Sequence, residues 1–283
     1  FSPDIALNYY LNANTSVYVA YKKAFKSGGI DNSALPTASI NPLSPTFEGF
    51  DALIYDSEEA DGFEIGLKSN LFDNNMRINA TYYKYEYTDL QVQLFDANII
   101  QFSTFNAGAV ETEGFEADML WYTDIEGLTL RGQFAWTDAV NTGDFFNTSG
   151  VNLKGSERSY SPEIAGSLGL SYDSSLFSGW RYTFSTDARY SDDYAWGVYR
   201  NSPRQDSYWI NDAAISIYSE DGKHSINLIG RNLGDEIVIV TGGSTPGRIG
   251  TRTVPGIEAA LLQDQNVTTQ QGRTVTLQYK YKM

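Results

Sequence analysis

Residues 274–283 read TVTLQYKYKM, and this stretch decides the fold class. Apolar or aromatic side chains stand at every second position from Val275 to Met283, and polar side chains fill the positions between them. Successive side chains of a β-strand point to opposite faces, so strict alternation is the pattern of a strand with one apolar and one polar face. The end of the chain therefore predicts an amphipathic strand.

The same alternation recurs through the chain and predicts an all-β protein, since no segment shows a helical period. It is clearest in segments 76–83, 128–137, 164–172 and 180–191. Short connections rich in Asn, Asp and Gly lie at 12–14, 72–75, 124–127, 173–179 and 219–222. Longer connections lie between them, at roughly 26–57, 94–99, 141–160, 197–206 and 233–270. Outer-membrane β-barrels alternate short periplasmic turns with long extracellular loops in this way.

The strand count is about eleven, each strand being long enough to cross a bilayer when tilted, which takes about 9–11 residues. We interpret segment 100–123 as one strand, because a break near Gly108 would disturb the alternation of short and long connections. An odd strand number does not close a single-chain bacterial barrel. We therefore expect residues 1–283 to be a partial β-barrel domain: eleven C-terminal strands of a plugged barrel of about 22 strands. The plug and the N-terminal strands are expected to lie outside this sequence.

Composition argues against several classes of protein. The chain has no Cys, so it holds neither disulfides nor a Cys-ligated metal. Its net charge of −15 argues against a nucleic-acid partner, because phosphate binding needs clustered Lys and Arg. His224 is the only histidine and is expected on the surface at a short turn. Phosphate-loop and nucleophile-elbow motifs are absent as well, so we expect no enzyme, no catalytic residue and no cofactor.

Several motifs resemble those of the TonB-dependent receptor family. Residues 63–69 read FEIGLKS, 87–92 read YTDLQV, 106–108 read NAG and 232–235 read NLGD, in the order and spacing of that family. The resemblance covers essentially the whole chain, although the family usually ends in Phe and this sequence ends in Met283. It implies a transmembrane antiparallel β-barrel in the bacterial outer membrane.

The resemblance also implies active uptake of a scarce nutrient. A ferric siderophore is the favoured ligand, with cobalamin or an oligosaccharide left open. The implied partners are outer-membrane lipid, lipopolysaccharide and the TonB complex, which would act through an N-terminal region without a counterpart here. Two alternatives remain: a passive porin without a plug, and a soluble all-β adhesion or carbohydrate-binding protein, because alternation also describes β-sandwiches.

Two groups of loop residues are candidate sites. The candidate ligand contacts are Trp196, Tyr199, Arg200, Arg204, Arg248 and Arg252. Arginine presents a planar fork that suits carboxylate or phosphate, so the arginines would contact either an anionic siderophore or, alternatively, lipopolysaccharide phosphates and acidic loops. The candidate calcium ligands are Asp56, Glu58, Glu59 and Asp61. Calcium takes oxygen ligands, but the EF-hand spacing is absent, and a solvated loop is the alternative.

Aromatic residues near strand ends predict girdles at the membrane interface, where Tyr and Trp are enriched. The predicted members are Tyr82, Tyr83, Tyr85, Tyr87, Trp121, Tyr122, Trp136, Trp180, Tyr182, Trp196 and Tyr199. A ligand vestibule lined by aromatic rings is the alternative.

Overall fold

The structure is a computed structural model and describes residues 2–31, 43, 49–96, 101–146, 151–197, 203–244 and 265–282. Eleven antiparallel strands form one sheet in which each strand pairs only with its neighbours in sequence. They are β1 (Asp4–Asn12), β2 (Thr15–Lys26), β3 (Glu58–Leu71), β4 (Met76–Thr88), β5 (Ala109–Tyr122), β6 (Leu128–Asn141), β7 (Ile164–Phe177), β8 (Trp180–Ser191), β9 (Tyr208–Ser219), β10 (His224–Arg231) and β11 (Thr274–Tyr281). The predicted all-β class and the number of strands are confirmed.

Connections between these strands alternate strictly in length. The short connections are 13–14, 72–75, 123–127, 178–179 and 220–223, and the long ones are 27–57, 89–108, 142–163, 192–207 and 232–273. All short connections lie at one end of the antiparallel sheet, called here the short-turn rim, and all long ones lie at the other, the long-loop rim. The predicted turn at 173–179 is shorter than expected, because β7 continues to Phe177 through an irregularity after Ser175.

Segment 100–123 is not one strand, so that interpretation was wrong. Residues Gln101–Asn106 pair with Gln91–Asp96 in a two-stranded ribbon, and β5 begins only at Ala109. Gly108 adopts a φ of 59° at the break, a left-handed conformation that glycine adopts without strain. The alternation of connections survives, because the ribbon lies within a long loop and does not add a strand to the sheet.

Apolar side chains of the strands form one continuous surface, called here the outer face. Strand pairing keeps them in register, with Leu7 opposite Val19, Val19 opposite Ile65, and Ile65 opposite Tyr82. These side chains are uncovered even on interior strands: Ile65 is 51% exposed and Leu168 is 65% exposed. A β-sandwich would bury this face against a second sheet, so the structure does not support the soluble sandwich alternative.

The apolar band of the outer face is bounded at both ends. At the short-turn rim, the ring centroid of His224 lies 6.4 Å from Trp180 and 5.0 Å from Tyr281. Toward the long-loop rim, the rings of Tyr190 and Trp209 pack at 5.0 Å. The first cluster contains Trp180, a predicted member of the aromatic girdles, whereas Tyr190 and Trp209 were not among the predicted members.

The tightly buried apolar side chains lie mostly outside the sheet, in the long-loop rim. They include Phe145, Leu153, Tyr194, Ala195, Trp196 and Val238. The helix described in this rim is a single 3₁₀ turn, Phe50–Leu53. Among the described residues, no helix has the length and apolar character that crossing a membrane requires.

Candidate functional site

The inner face of the sheet, opposite the outer face, is polar and concave. A groove of about 640 Å³ runs along it. Its polar lining residues are Asn79, Thr81, Glu116, Asp118, Gln133, Ser167, Arg189 and Ser191. These residues are the polar half of the alternation in β4 to β8, so the same sequence pattern that makes the outer face apolar makes this wall hydrophilic. In a membrane barrel such a face lines the lumen.

Four charged side chains of this wall form a ladder of ion pairs from β6 through β8 to β9. Arg131 contacts Asp187 at 3.4 Å, and Arg189 lies 4.0 Å from Asp187 and 2.8 Å from Asp212. The other carboxylate oxygen of Asp212 accepts a hydrogen bond of 2.7 Å from the backbone N–H of Asn232. The charges of these four residues are therefore balanced, whereas Glu116 and Asp118, which also line the groove, have no ion pair among the described residues.

Tyrosine rings lie flat over glycines of neighbouring strands on the inner face. A Cβ atom at Gly66 would collide with the ring of Tyr18, and one at Gly114 would lie 2.5 Å from the hydroxyl of Tyr83. The predicted girdle positions of Tyr83 and Tyr85 were wrong. Their neighbours Tyr82 and Lys84 occupy the outer face, so strand alternation places both tyrosines on the inner face.

Residues of the YTDLQV and NAG motifs hold loop ends together at the long-loop rim through hydrogen bonds. The side-chain amide of Asn106 donates hydrogen bonds to the backbone carbonyls of Asp89 at 2.7 Å and Asp56 at 3.0 Å. Gln91 donates in the same way to the carbonyls of Ser27 at 2.9 Å and Asp56 at 3.0 Å. These motif residues therefore tie together the ends of two long loops, 27–57 and 89–108.

Arg204 and Trp196, two candidate ligand contacts, are both held by other residues of the rim. The guanidinium of Arg204 bonds to the carboxylate of Glu157 and, at 2.6 Å, to that of Asp193. Trp196 is only 5% exposed and lies against Gly242, and its indole N–H has no partner within the described parts of the chain. Trp196 thus has a packing role, whereas Arg204 is an exposed side chain that two carboxylates hold in place.

A tyrosine pair supports the loop that carries Trp196. The rings of Tyr160 and Tyr194 lie 6.0 Å apart, and the Tyr160 hydroxyl accepts a hydrogen bond of 3.1 Å from the backbone of Gly242. The Tyr194 hydroxyl donates to the carbonyl of Ile239 at 2.9 Å, and burial raises the pKa of this phenol to about 12. Three long loops meet at this pair.

Arg158 is a rim residue that the sequence analysis missed. Its Nη1 donates a hydrogen bond of 3.1 Å to the Oδ1 of Asn141, the last residue of β6. Asn141 is 4% exposed and shares the inner face with Gln133. Burial lowers the pKa of Arg158, but a guanidinium remains charged in proteins. Local sequence gives no signal of this environment, because the partner lies across a loop.

The candidate calcium ligands do not converge. They are Asp56, Glu58, Glu59 and Asp61. Glu59 forms an ion pair of 2.8 Å with Lys23, whereas the Oε2 of Glu58 accepts a hydrogen bond of 2.9 Å from the backbone of Gln91. Adjacent strand residues face opposite sides of a sheet, which separates Glu58 from Glu59. The described residues contain no group of three or more His, Cys, Asp or Glu that could hold a metal.

Four candidate ligand contacts lie outside the described residues. They are Tyr199, Arg200, Arg248 and Arg252. Their roles stay predictions.

Sequence comparison places the chain in a family. Residues 1–233 match the family described as TonB dependent receptor-like, beta-barrel. The chain belongs to the TonB-dependent receptor family. This confirms the resemblance seen in the motifs and places the chain in the wall of a bacterial outer-membrane barrel. Members of this family are transport receptors and not enzymes. No curated protein matches the sequence.

Solved structures of TonB-dependent receptors share the fold. The ferric yersiniabactin uptake receptor of Yersinia pestis is 15% identical with a TM-score of 0.73, over 98% of this chain and 36% of that one. The siderophore receptor PiuA of Acinetobacter baumannii is 20% identical with a TM-score of 0.69, over 99% and 35%. The ferric-catecholate import receptor of E. coli K12 is 19% identical with a TM-score of 0.65, over 98% and 34%. The chain therefore spans about a third of the length of these receptors.

Proposed function

We propose that the chain forms part of the barrel wall of a transporter that takes up a ferric siderophore across the outer membrane. One observation carries the proposal: an apolar outer face and a polar, concave inner face lie on a sheet that shares its fold with siderophore receptors. In this reading the outer face contacts lipid, and the ion-paired ladder of Arg131, Asp187, Arg189 and Asp212 lines the aqueous lumen.

The proposal assigns the remaining parts of the transporter to other segments of the protein. Residues 1–283 belong to the β-barrel domain, further strands close the wall, and a plug fills the lumen. The TonB complex supplies energy through the plug and makes no contact with this wall. The long-loop rim faces the outside, where lipopolysaccharide surrounds it, and the short-turn rim faces the periplasm.

Uptake of radioactive iron tests this function. Iron-starved cells that carry the full-length gene, cells in which it is deleted, and cells that lack TonB are each supplied with ⁵⁵Fe-loaded siderophores of the catecholate, hydroxamate and mixed carboxylate classes. We expect accumulation of at least one chelate that requires both the gene and TonB. Equal accumulation in all strains for every chelate would contradict the proposal.

The porin alternative predicts a different outcome of the same comparison. A passive pore admits small solutes without TonB, so the gene would raise permeation equally in cells with and without TonB. The purified full-length protein would also conduct ions steadily in planar bilayers. A plugged transporter conducts little under those conditions.

A further inference from the structure

We propose that Arg158 is the anion-recognition residue of the long-loop rim and that it binds a carboxylate of the transported ligand. The inference deepens the proposed transport function and rests on it, because it assumes that a ligand enters past this rim. It transfers to Arg158 the role that the sequence suggested for Arg204.

The basic side chains differ in their exposure and in their carboxylate partners. Among the described residues, Arg158 alone of the Lys and Arg side chains is neither exposed nor within 4.0 Å of a carboxylate. Glu58 attracts it through space without contact. Arg204, by contrast, already has two carboxylates, from Glu157 and Asp193. Among the described residues, Arg158 is therefore the half-buried cation of this rim that no carboxylate contacts.

The segment that carries Arg158 is held by hydrogen bonds on both sides. The backbone N–H of Arg158 donates to the carbonyl of Ala139 at 2.9 Å, and that of Tyr160 donates to Ala195 at 2.8 Å. The Ser159 hydroxyl donates to the carbonyl of Gly197 at 2.6 Å. The segment is thus fixed to β6 on one side and to the next long loop on the other. A cation held in place before binding loses little conformational entropy when the ligand arrives.

The hydrogen-bond partner of the guanidinium determines on which face of the sheet it lies. Its anchor, Asn141, lies on the inner face at the long-loop end of β6, above Gln133 and Ala135, which line the groove. A ligand that passes the rim toward the groove therefore passes Arg158. Lipopolysaccharide phosphates lie against the outer face in the proposed orientation, so they are not its partner.

The chemistry of the free donors defines the ligand. A guanidinium has five N–H donors in one plane, and Asn141 takes one of them. The remaining donors fit the two oxygens of a carboxylate, and such charge-assisted pairs are strong. A half-buried cation without a carboxylate in contact is unfavourable, and a ligand carboxylate supplies that contact. In a chain of net charge −15, such a cation favours an anionic chelate at this point.

The test uses the full-length protein in detergent and citrate as the carboxylate probe, with triethyl citrate as its neutral counterpart. Binding is measured by isothermal titration calorimetry for the wild type, Arg158→Gln, Arg158→Lys and Lys154→Gln. Lys154 is the matched control, because it lies in the same loop and is exposed. We expect citrate but not triethyl citrate to bind the wild type. Arg158→Gln should weaken citrate roughly 10–100-fold, and Lys154→Gln less than about twofold.

Three outcomes overturn the proposal: no citrate binding by the wild type, equal binding of triethyl citrate, or equal losses in Arg158→Gln and Lys154→Gln. If Arg158→Gln does not fold, Arg158→Lys decides. Lysine keeps the charge but lacks the planar fork, so its citrate affinity should fall several-fold, and wild-type affinity would contradict the proposal. Failure of the transport function is seen separately, as absent ⁵⁵Fe uptake in cells whose receptor still binds citrate through Arg158.

Discussion

The side chain of Asn106 and the backbone of Asp56 hold each other through two hydrogen bonds. The Oδ1 of Asn106 accepts from the Asp56 N–H at 2.6 Å, and its Nδ2 donates to the Asp56 carbonyl at 3.0 Å. The two residues are far apart in sequence and belong to different long loops. This reciprocal pair joins the loop between β2 and β3 to the ribbon between β4 and β5.

Replacement of Asn106 should loosen the long-loop rim without unfolding the sheet. Asn106→Ala removes both bonds to Asp56 and the bond to Asp89, which we expect to reduce stability by about 1 kcal/mol. Trypsin treatment of intact cells should cleave the rim faster. Asn8→Ala is the control, since Asn8 is exposed and makes no side-chain hydrogen bond among the described residues. Identical cleavage rates in both variants would refute this role of Asn106.

Glycine at position 66 should be required by the ring of Tyr18. Gly66→Ala places a Cβ atom against that ring, and overpacking of this kind costs about 1–3 kcal/mol. Tyr18→Ala in the same chain should relieve most of the loss. Folded fractions are read from heat-modifiable migration in SDS gels, with Gly234→Ala as the control, because nothing lies within 4 Å of a Cβ atom there. A double variant no better than Gly66→Ala would contradict the contact.

Adjacent positions 167 and 168 should differ in how well they tolerate an introduced arginine. Leu168 is exposed on the outer face, whereas Ser167 lines the inner groove. Arginine facing the middle of the bilayer costs roughly 2–4 kcal/mol, and arginine facing an aqueous lumen costs little. Leu168→Arg should therefore reduce assembly in the outer membrane, and Ser167→Arg should not. Equal assembly of the two variants would mean that the outer face does not meet lipid.

The long-loop rim should lose stability at alkaline pH, because the buried phenol of Tyr194 loses its proton. Burial raises its pKa to about 12, whereas tyrosine in an unfolded chain loses its proton near pH 10. The folded rim therefore gains stability from the neutral phenol below about pH 10, and this gain is lost as the pH rises through about 12. Tryptophan fluorescence of the wild type should change over this interval. The chain has 20 tyrosines, so Tyr194→Phe should reduce that change without abolishing it; an unaltered pH profile in this variant would argue against the prediction.

Much of the sheet was predictable, because a period of two repeats in every strand and the turn residues mark the short connections. The ribbon of Gln91–Asp96 and Gln101–Asn106 was not, since a hairpin inside a loop alternates just as a membrane strand does. Arg204 was chosen for its loop position, but its carboxylate partners come from Glu157 and Asp193, and only folding brings Glu157 next to it. Arg158 was missed for the same reason, because its burial without a carboxylate in contact is a property of the tertiary structure.

The neighbour-only pairing of the eleven strands has a kinetic consequence. Strands joined by short connections, such as β9 and β10 across 220–223, form hairpins whose contacts are local. Pairing across 232–273 must close a far longer loop, and each doubling of loop length costs about 0.6 kcal/mol of chain entropy. Local contacts form faster than distant ones, so we expect the five hairpins to form first. Closure of the long connections then limits the rate at which neighbouring hairpins join.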